Sequence, residues 1–395
     1  MARLPAAEWT GRSDLVALVD ALDPEGDSAR YVGGAVRDTL LGVEAHDIDI
    51  ATRHEPVEVI ARLDAAGVRS VPTGIAHGTV TAILDSGNVE ITTLRHDVET
   101  DGRRAKVAFA SDWQDDAARR DFTINALYAD PRTGEVFDYF GGVEDLENRR
   151  VRFIGDARAR IREDHLRILR YFRFQARFGS QPADEQAETA CRELAPRLTD
   201  LSRERVGWEL INLLSLPDPS STVERMAELG VLPQVMPEAN AAALAPLIMA
   251  ERREGVEPDP IRRFAALLPA DPATAAATAS RLRLSNSQRK RLAQAARRED
   301  GPGNARELAY RLGRDEAVDR ILLAGASVAP LAGWEIPRLP LKGGEVVARG
   351  IAPGPEVARI LHEVENRWVA EGFPDADRVA ELRDEAIAAA VAGRS

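Results

Sequence analysis

The sequence predicts an α+β chain in which a strand-rich first part, built on a small mixed sheet, precedes a long all-helical remainder. Three observations predict it. Up to about residue 141, short β-branched and alternating runs are punctuated by Gly, Pro, Asn and Asp turns. Beyond Gly142 the pattern is almost wholly the period of amphipathic helices. The 395 residues also exceed a single core and call for two to four domains. The expected divisions are 1–141, 142–215, 216–300 and 301–395.

Taken in order, Ser13 is placed to cap a helix over DLVALVDAL. Tyr31 to Ala51 (YVGGAVRDTLLGVEAHDIDIA) reads as a short strand ending in Gly33-Gly34, a helix carrying Arg37, a turn at Gly42 and a second strand holding Asp47 and Asp49. Pro56 opens a helix to about Ala66. VRSVP, HGTVTAIL and NVEITTL are strands, the last two joined as a hairpin by the Asp85–Asn88 turn. Arg95 to Val107 is polar, charged and aperiodic and is expected as a mobile loop. Arg119-Arg120-Asp121 then leads into a strand, FTINALYAD, which turns at Asp130–Gly134 into EVFDYFGG. Helices follow: one continuous through REDHLRILRYFRFQARFG, one capped by Ser202 in LSRERVGWEL, and several more broken at LPDPS, LPQVMPE and EPDP.

Composition narrows the classes. With 44% hydrophobic and 29% charged residues the chain is ordinary globular material, and no apolar run of 18 residues suggests a membrane span. The N-terminus lacks a signal-peptide core, so a cytoplasmic location is expected. A single cysteine, Cys191, excludes an internal disulfide. The His-Asp pairs 46–47 and 96–97 suggest a metal phosphohydrolase only if further histidines surround them, and none do. The net charge of −12 argues against unselective nucleic-acid binding, yet Glu147 to Ser180 carries ten arginines against four acidic residues. One basic stripe on an acidic protein suits an anionic partner chosen by shape.

The chemistry begins at Asp47 and Asp49. Two carboxylates at i and i+2 on a strand face the same way, about 7 Å apart along the chain. Magnesium binds carboxylate oxygens at about 2.1 Å and keeps positions open for phosphates. Two such ions roughly 4 Å apart clamp the attacking and leaving oxygens of a phosphoryl displacement. Gly33 and Gly34 let the backbone approach an anion at a helix N-terminus, with Arg37 beside it. Glu90, in the alternating VEITT strand, is a candidate third carboxylate.

The second half of the site lies about 115 residues on. Asp164, Arg167, Arg170 and Arg173 form a stripe winding around one side of a helix that is otherwise apolar. Buried arginines require anions: either Glu163 and acids of neighbouring helices, or, as the better partner, a triphosphate. A carboxylate only accepts hydrogen bonds and a guanidinium only donates. An Asp164/Arg167 pair therefore matches the amino group and ring nitrogen of cytosine or adenine and mismatches guanine and uracil, at about 1–3 kcal/mol per mismatch. Arg203, Glu204, Arg205 and Glu209 are expected as helix surface giving structural support. Near the end, Lys342, Gly343 and Gly344, with Gly354 beyond, suggest a helix, a turn and a second helix whose amides bind phosphate.

GGAVRDTLLG, HDIDIAT, RRDFTINAL, DYFGGVEDLENRRVRFIGD, EDHLRILRYFRF, SRERVGWEL and KGGEVVARGIAPGPEVARIL occur in that order over nearly the whole chain. In these motifs the chain resembles the class II tRNA nucleotidyltransferase and bacterial poly(A) polymerase family, most closely its CCA-adding members. The resemblance implies a palm-like nucleotidyltransferase head, then helical neck, body and tail. It implies addition of C, C and A to tRNA from CTP and ATP with magnesium (Mg2+), two ions being expected. Asp47 and Asp49 would bind metal, Gly34 and Arg37 the triphosphate, and Arg119, Arg120 and Asp121 the ribose and phosphates. Asp164 and Arg167 would select the base, Arg170 and Arg173 would extend the phosphate contacts, and the Arg95–Lys106 loop would serve A addition. His165 stands where many relatives carry proline, and no phosphohydrolase domain is expected. The alternatives are an A-adding enzyme or a poly(A) polymerase, whose usual basic extension is not expected after AIAAAVAGRS, and, more remotely, a catalytically inactive RNA-binding protein.

Overall fold

A computed structural model describes residues 2–45, 47–101, 104–109, 112–298 and 304–392, with backbone only at 76, 96–101 and 104–109. It divides into two compact units, Met1–Pro237 and Glu238–Ser395.

The first unit starts with α1 (Ser13–Leu22), whose Leu15, Leu18 and Leu22 are fully buried. Ser13 is its first residue and makes no cap; the Asp14 carboxylate accepts from the Leu15 N–H instead. Then come β1 (Ala29–Val32), α2 (Gly34–Leu40), β2 (Ile48–Thr52) and α3 (Pro56–Ala65). Three strands follow, β3 (Ser70–Gly74), β4 (Thr79–Leu84) and β5 (Gly87–Thr93). The segment expected as a loop after Arg95 is a separate antiparallel hairpin, β6 (Arg95–Asp101) and β7 (Arg104–Phe109). Its many charged residues hide the strands from a reading by hydrophobic pattern, because ladder hydrogen bonds come from the backbone and not from the side chains. Gly102 and Arg103 of that segment lie outside the described residues.

Next are α4 (Trp113–Ala118), β8 (Leu127–Ala129) and β9 (Val136–Asp138). FTINALYAD is not strand throughout: Thr123–Asn125 makes a 3-10 turn before β8. Seven strands form one mixed sheet in the order β3-β4-β5-β2-β1-β8-β9, with β2 and β5 parallel. Register explains its use. Val32, Asp49 and Glu90 are direct partners on β1, β2 and β5, and partners in register project to one face. In β5 the alternation puts Val89 and Ile91 in the core and leaves Glu90 exposed. A slip of one residue would bury the carboxylate, so the apolar pattern holds it in place.

Helices complete the unit: α5 (Gly142–Glu147), α6 (Ala157–Glu163), α7 (Arg167–Phe178), α8 (Glu185–Leu194), α9 (Arg203–Leu214), α10 (Ser220–Glu228) and α11 (Leu232–Val235). A Cβ at Gly142 would stand 2.3 Å from the Thr123 carbonyl oxygen, so only glycine lets α5 pack this close to the 3-10 turn. Phe122, just after Arg119–Asp121, packs on Phe153 and Phe174 at centroid distances of 4.9 and 5.0 Å. That aromatic cluster seats α7 against the segment that leads from α4 into the 3-10 turn.

The second unit is all helix: α12 (Leu244–Glu254), α13 (Pro260–Leu267), α14 (Pro272–Arg281), α15 (Asn286–Ala295), α16 (Ala305–Leu312), α17 (Arg314–Leu323), α18 (Gly343–Val347), α19 (Pro355–Ala370) and α20 (Ala376–Ala392). Asp259, Asp271, Ser285 and Asn304 cap four of them. Val357, Ile360, Val364 and Trp368 line one face of α19 and share a core with Val379, Leu382 and Ala386 of α20. Among the described residues no helix is long and apolar enough to cross a membrane.

Candidate active site

Gly33 has φ +72° and ψ −121°, a conformation that L side chains rarely adopt, and it starts α2 at the end of β1. Its N–H donates to the Leu127 carbonyl at 3.0 Å, so the amides left to face an anion begin at Gly34. Arg37, one turn into α2, is buried and donates to Asp38 at 2.7 Å and to Asn125. Burial pulls its pKa down, while the Asp38 carboxylate opposes the shift.

Asp49 is half-buried on β2. Asp47 lies in the bend just before that strand rather than on it, and is exposed. The Asp49 carboxyl is pushed up to about 6 by burial and then by Glu90, with a smaller push from Asp47 against the pull of Arg120. Crowded carboxylates of this kind leave an excess of negative charge that a divalent cation would offset. Among the described residues no group of three His, Cys, Asp or Glu converges tightly enough to hold a metal alone. Magnesium does not require one, since it uses one or two carboxylates together with substrate phosphates. His46 and the side chain of His96 lie outside the described residues.

The Arg119–Asp121 segment follows α4, and Asp116 of that helix anchors it. With its side chain 1% exposed, Asp116 binds Arg119 at 2.7 Å, Arg120 at 3.1 Å and the Tyr128 hydroxyl at 2.7 Å. Asp121 accepts two hydrogen bonds from Arg170, at 2.8 and 2.5 Å, and one from Asn125 at 3.0 Å. Burial alone would raise its pKa; Arg170 and the Asn125 amide outweigh that and lower it.

The expected continuous helix breaks. Asp164 is extended (φ −154°, ψ 107°) between α6 and α7, where it closes one helix and its carboxylate accepts from the Leu166 N–H at 3.1 Å. Asp at such a junction satisfies backbone donors that a continuing helix would not leave open. Its other oxygen accepts from Arg205 at 2.5 Å. Arg167 donates to Glu163 at 2.6 Å, and Arg173 to Glu209 at 2.7 Å. The arginine stripe is thus paired within the chain. A guanidinium has five N–H donors, so one or two carboxylate bonds orient it and leave the others to a ligand.

Arg205 and Glu209 are the correction to the expected helix surface. Glu209 is 2% exposed and sits beneath Arg170 and Arg173, while Arg205 faces Asp164. The signal was readable: Glu209 stands three residues after Val206 and four before Leu213, on the apolar stripe of α9.

These parts converge. One cleft of about 830 Å³ is lined by Gly33, Gly34, Arg37, Asp47, Asp49, Glu90, Arg119, Arg120, Asp121, Asp164, Arg167, Arg170 and Arg173. Sequence reasoning missed Asn125, Leu166, Phe174, Arg205 and Trp208, which share its wall. Among the described residues seven arginines face five carboxylates there, a balance suited to a polyanion. Lys342, Gly343, Gly344 and Gly354 are not part of this cleft and belong to the second unit. Lys342 precedes α18, where its N–H donates to the Glu345 carboxylate at 3.0 Å, and Gly354 precedes α19 with φ +146°. The expectation of open amides therefore fails at Lys342, which its own helix caps.

Residues 29–152 match the model of the "Poly A polymerase head domain", and residues 183–243 that of the "Probable RNA and SrmB- binding site of polymerase A". The chain is 35% identical over 378 residues to CCA tRNA nucleotidyltransferase 1, mitochondrial, of Mus musculus, covering 91% of this chain and 87% of that protein. It is 45% identical over 196 residues to a CCA-adding enzyme of Streptococcus pyogenes, covering 49% of this chain and 47% of that one. Among solved structures, the Bacillus stearothermophilus CCA-adding enzyme in complex with CTP superposes with a TM-score of 0.74 at 26% identity, covering 94% of this chain and 96% of that one. The fold is also that of the Thermotoga maritima CCA-adding enzyme complexed with tRNA, with a TM-score of 0.70 at 22% identity, over 98% of this chain and 100% of that one. The carboxylate row, the arginine stripe and these likenesses agree, and the chain belongs to the tRNA nucleotidyltransferase and poly(A) polymerase family.

Proposed function

We propose that this chain adds C, C and A to the 3′ ends of tRNA from CTP and ATP without a template, releasing pyrophosphate at each addition. One observation carries the reading: the carboxylates of the sheet and the Asp164/Arg167 pair, about 115 residues apart, line the same cleft. A reacting group and a base-reading group in one cavity select a nucleotide without nucleic acid to copy.

Asp47 and Asp49 would hold two magnesium ions, which when bound lower the pKa of an attacking RNA 3′-hydroxyl and neutralise charge on the leaving pyrophosphate. Glu90 is the third carboxylate beside them. Gly34 and Arg37 receive the triphosphate with Arg170 and Arg173, while Arg119, Arg120 and Asp121 hold the ribose and phosphates. Asp164 accepts from the amino group of cytosine or adenine, and Arg167 donates to the ring nitrogen. We assign the Lys342 ammonium, whose backbone N–H is already taken by Glu345, together with Gly343, Gly344 and Gly354 to tRNA backbone contacts, and the chain to head (1–141), neck (142–215), body (216–300) and tail (301–395). The proposed compartment is the cytoplasm; the mouse relative is named mitochondrial, and cell fractionation decides between them.

The test supplies tRNA lacking its last three nucleotides with labelled CTP and then ATP. Three added residues support the proposal. A single A or a long A tract assigns the chain to A addition or poly(A) synthesis, and no incorporation overturns catalysis altogether.

A further inference from the structure

Among the described residues Trp208 is the only Phe, Tyr or Trp side chain left largely open to solvent, at 59% exposure. It lines the cleft from α9, while Val206, Leu210 and Leu213 bury that helix on other sides. Arg205, one turn earlier on the same face, grips Asp164 at 2.5 Å, and the Arg173 guanidinium stands 5.8 Å from the indole centroid. A large flat ring left open to water beside a base-reading carboxylate has no packing role that accounts for its exposure.

We propose that Trp208 is the stacking wall for the base of the incoming nucleotide, a binding residue of the site proposed above. The inference rests on that reading of the cleft. Asp164 and Arg167 address only the edge of a base. Edge hydrogen bonds leave the ring free to swing about the line that joins them, and a flat face fixes its plane. Every base has a π face, so stacking is indifferent to sequence. Trp208 therefore serves cytosine and adenine alike, despite their different sizes, and leaves the choice against uracil and guanine to the Asp/Arg pair. Arg173, against the same ring and held by Glu209, keeps the indole oriented while the site is empty.

The experiment titrates CTP, ATP and tripolyphosphate, without RNA, into wild-type protein and into Trp208→Leu and Trp208→Phe, by calorimetry and indole fluorescence. Trp208→Leu is expected to weaken CTP and ATP by the same factor, roughly 5- to 150-fold. Tripolyphosphate should bind all three proteins equally, because it carries no base. Trp208→Phe should recover most of the nucleotide affinity and lose the fluorescence quenching expected of wild type. Unchanged CTP binding by the Leu variant overturns the proposal, as does an equal loss for tripolyphosphate, which would mark a purely structural role through Arg173. In a parallel titration with tRNA and no nucleotide, a loss confined to tRNA overturns it too, placing the indole against the RNA end. The product-length assay on wild type stands apart: a wild type that adds C, C and A while the Leu variant binds CTP normally defeats the stacking wall and leaves the function intact.

Discussion

Arg170 on α7 donates from Nε and Nη2 to one carboxylate oxygen of Asp121, at 2.8 and 2.5 Å, across 49 residues of sequence. The pair fastens the first helical layer to the segment that carries Arg119 and Arg120. Replacing Arg170 with Ala leaves a carboxylate only 10% exposed without its cation. Because Arg170 itself is 31% exposed, the expected loss is about 2–3 kcal/mol, below that of a fully buried pair. Urea unfolding measures it. In a double-mutant cycle with Asp121→Asn the two losses should fall short of additive by about 1 kcal/mol.

Asp49→Asn and Asp47→Asn each remove a proposed magnesium ligand. The barrier to nucleotide incorporation should rise by about 4 kcal/mol or more, slowing it about 10³-fold or more, while tRNA affinity stays unchanged. Single-turnover incorporation and filter binding of tRNA separate the two. Turnover at the wild-type rate in Asp49→Asn would remove the carboxylate row from the chemistry.

Selection is tested at Asp164. In Asp164→Ala the amino group of cytosine loses its acceptor and the uracil carbonyl loses its repulsive neighbour. The ratio of kcat/KM for CTP over UTP should fall by roughly 5- to 150-fold, the worth of one mismatched buried hydrogen bond. Competition between the two triphosphates reads it directly.

Asp116 makes the fold sensitive to acid. Burial would raise its pKa, but Arg120, Arg119 and the Tyr128 hydroxyl overcome this and hold it at about 2, against an ordinary 3.8. The folded state therefore keeps this charge to lower pH than the unfolded chain does. Its contribution is complete above about pH 4 and disappears as the pH falls toward 2. At neutral pH it amounts to about 2 kcal/mol. Asp116→Asn should lose that much at pH 7 and show a flatter stability profile between pH 4 and 2 in denaturant titrations.

Gly33→Ala tests the turn that precedes α2. Its φ of +72° strains any side chain, and the new Cβ would sit 3.5 Å from Arg120 Nη1. A thermal-melt loss of about 1 kcal/mol is expected. Weaker CTP binding should accompany it, because the strain falls on the backbone that leads to the Gly34 amide.

Much of the site was legible because its signals are local. Gly33-Gly34 before a helix, Asp49 in an alternating strand and Glu90 between Val89 and Ile91 depend only on neighbours a few positions away. The same local rules failed where a partner lies far off in sequence. The hairpin of β6 and β7 pairs residues up to 14 positions apart across a polar, charged segment that reads locally as a loop. The break at Asp164 is stabilised by Arg205, 41 residues on. The apolar stripe of α9 marks Glu209 as buried, but the arginines it holds belong to another helix and show only in the fold.

The sequence by itself determined the α+β class, the faces of β2 and β5 and the residues proposed here for reaction and base reading, since backbone propensity and side-chain alternation act over a few residues. Only the tertiary structure decided that Val32, Asp49 and Glu90 share a row, that Arg170 closes on Asp121, and that Trp208 opens onto the same cleft. Those relations depend on strand register and helix packing, which are settled when distant segments bury their apolar faces together.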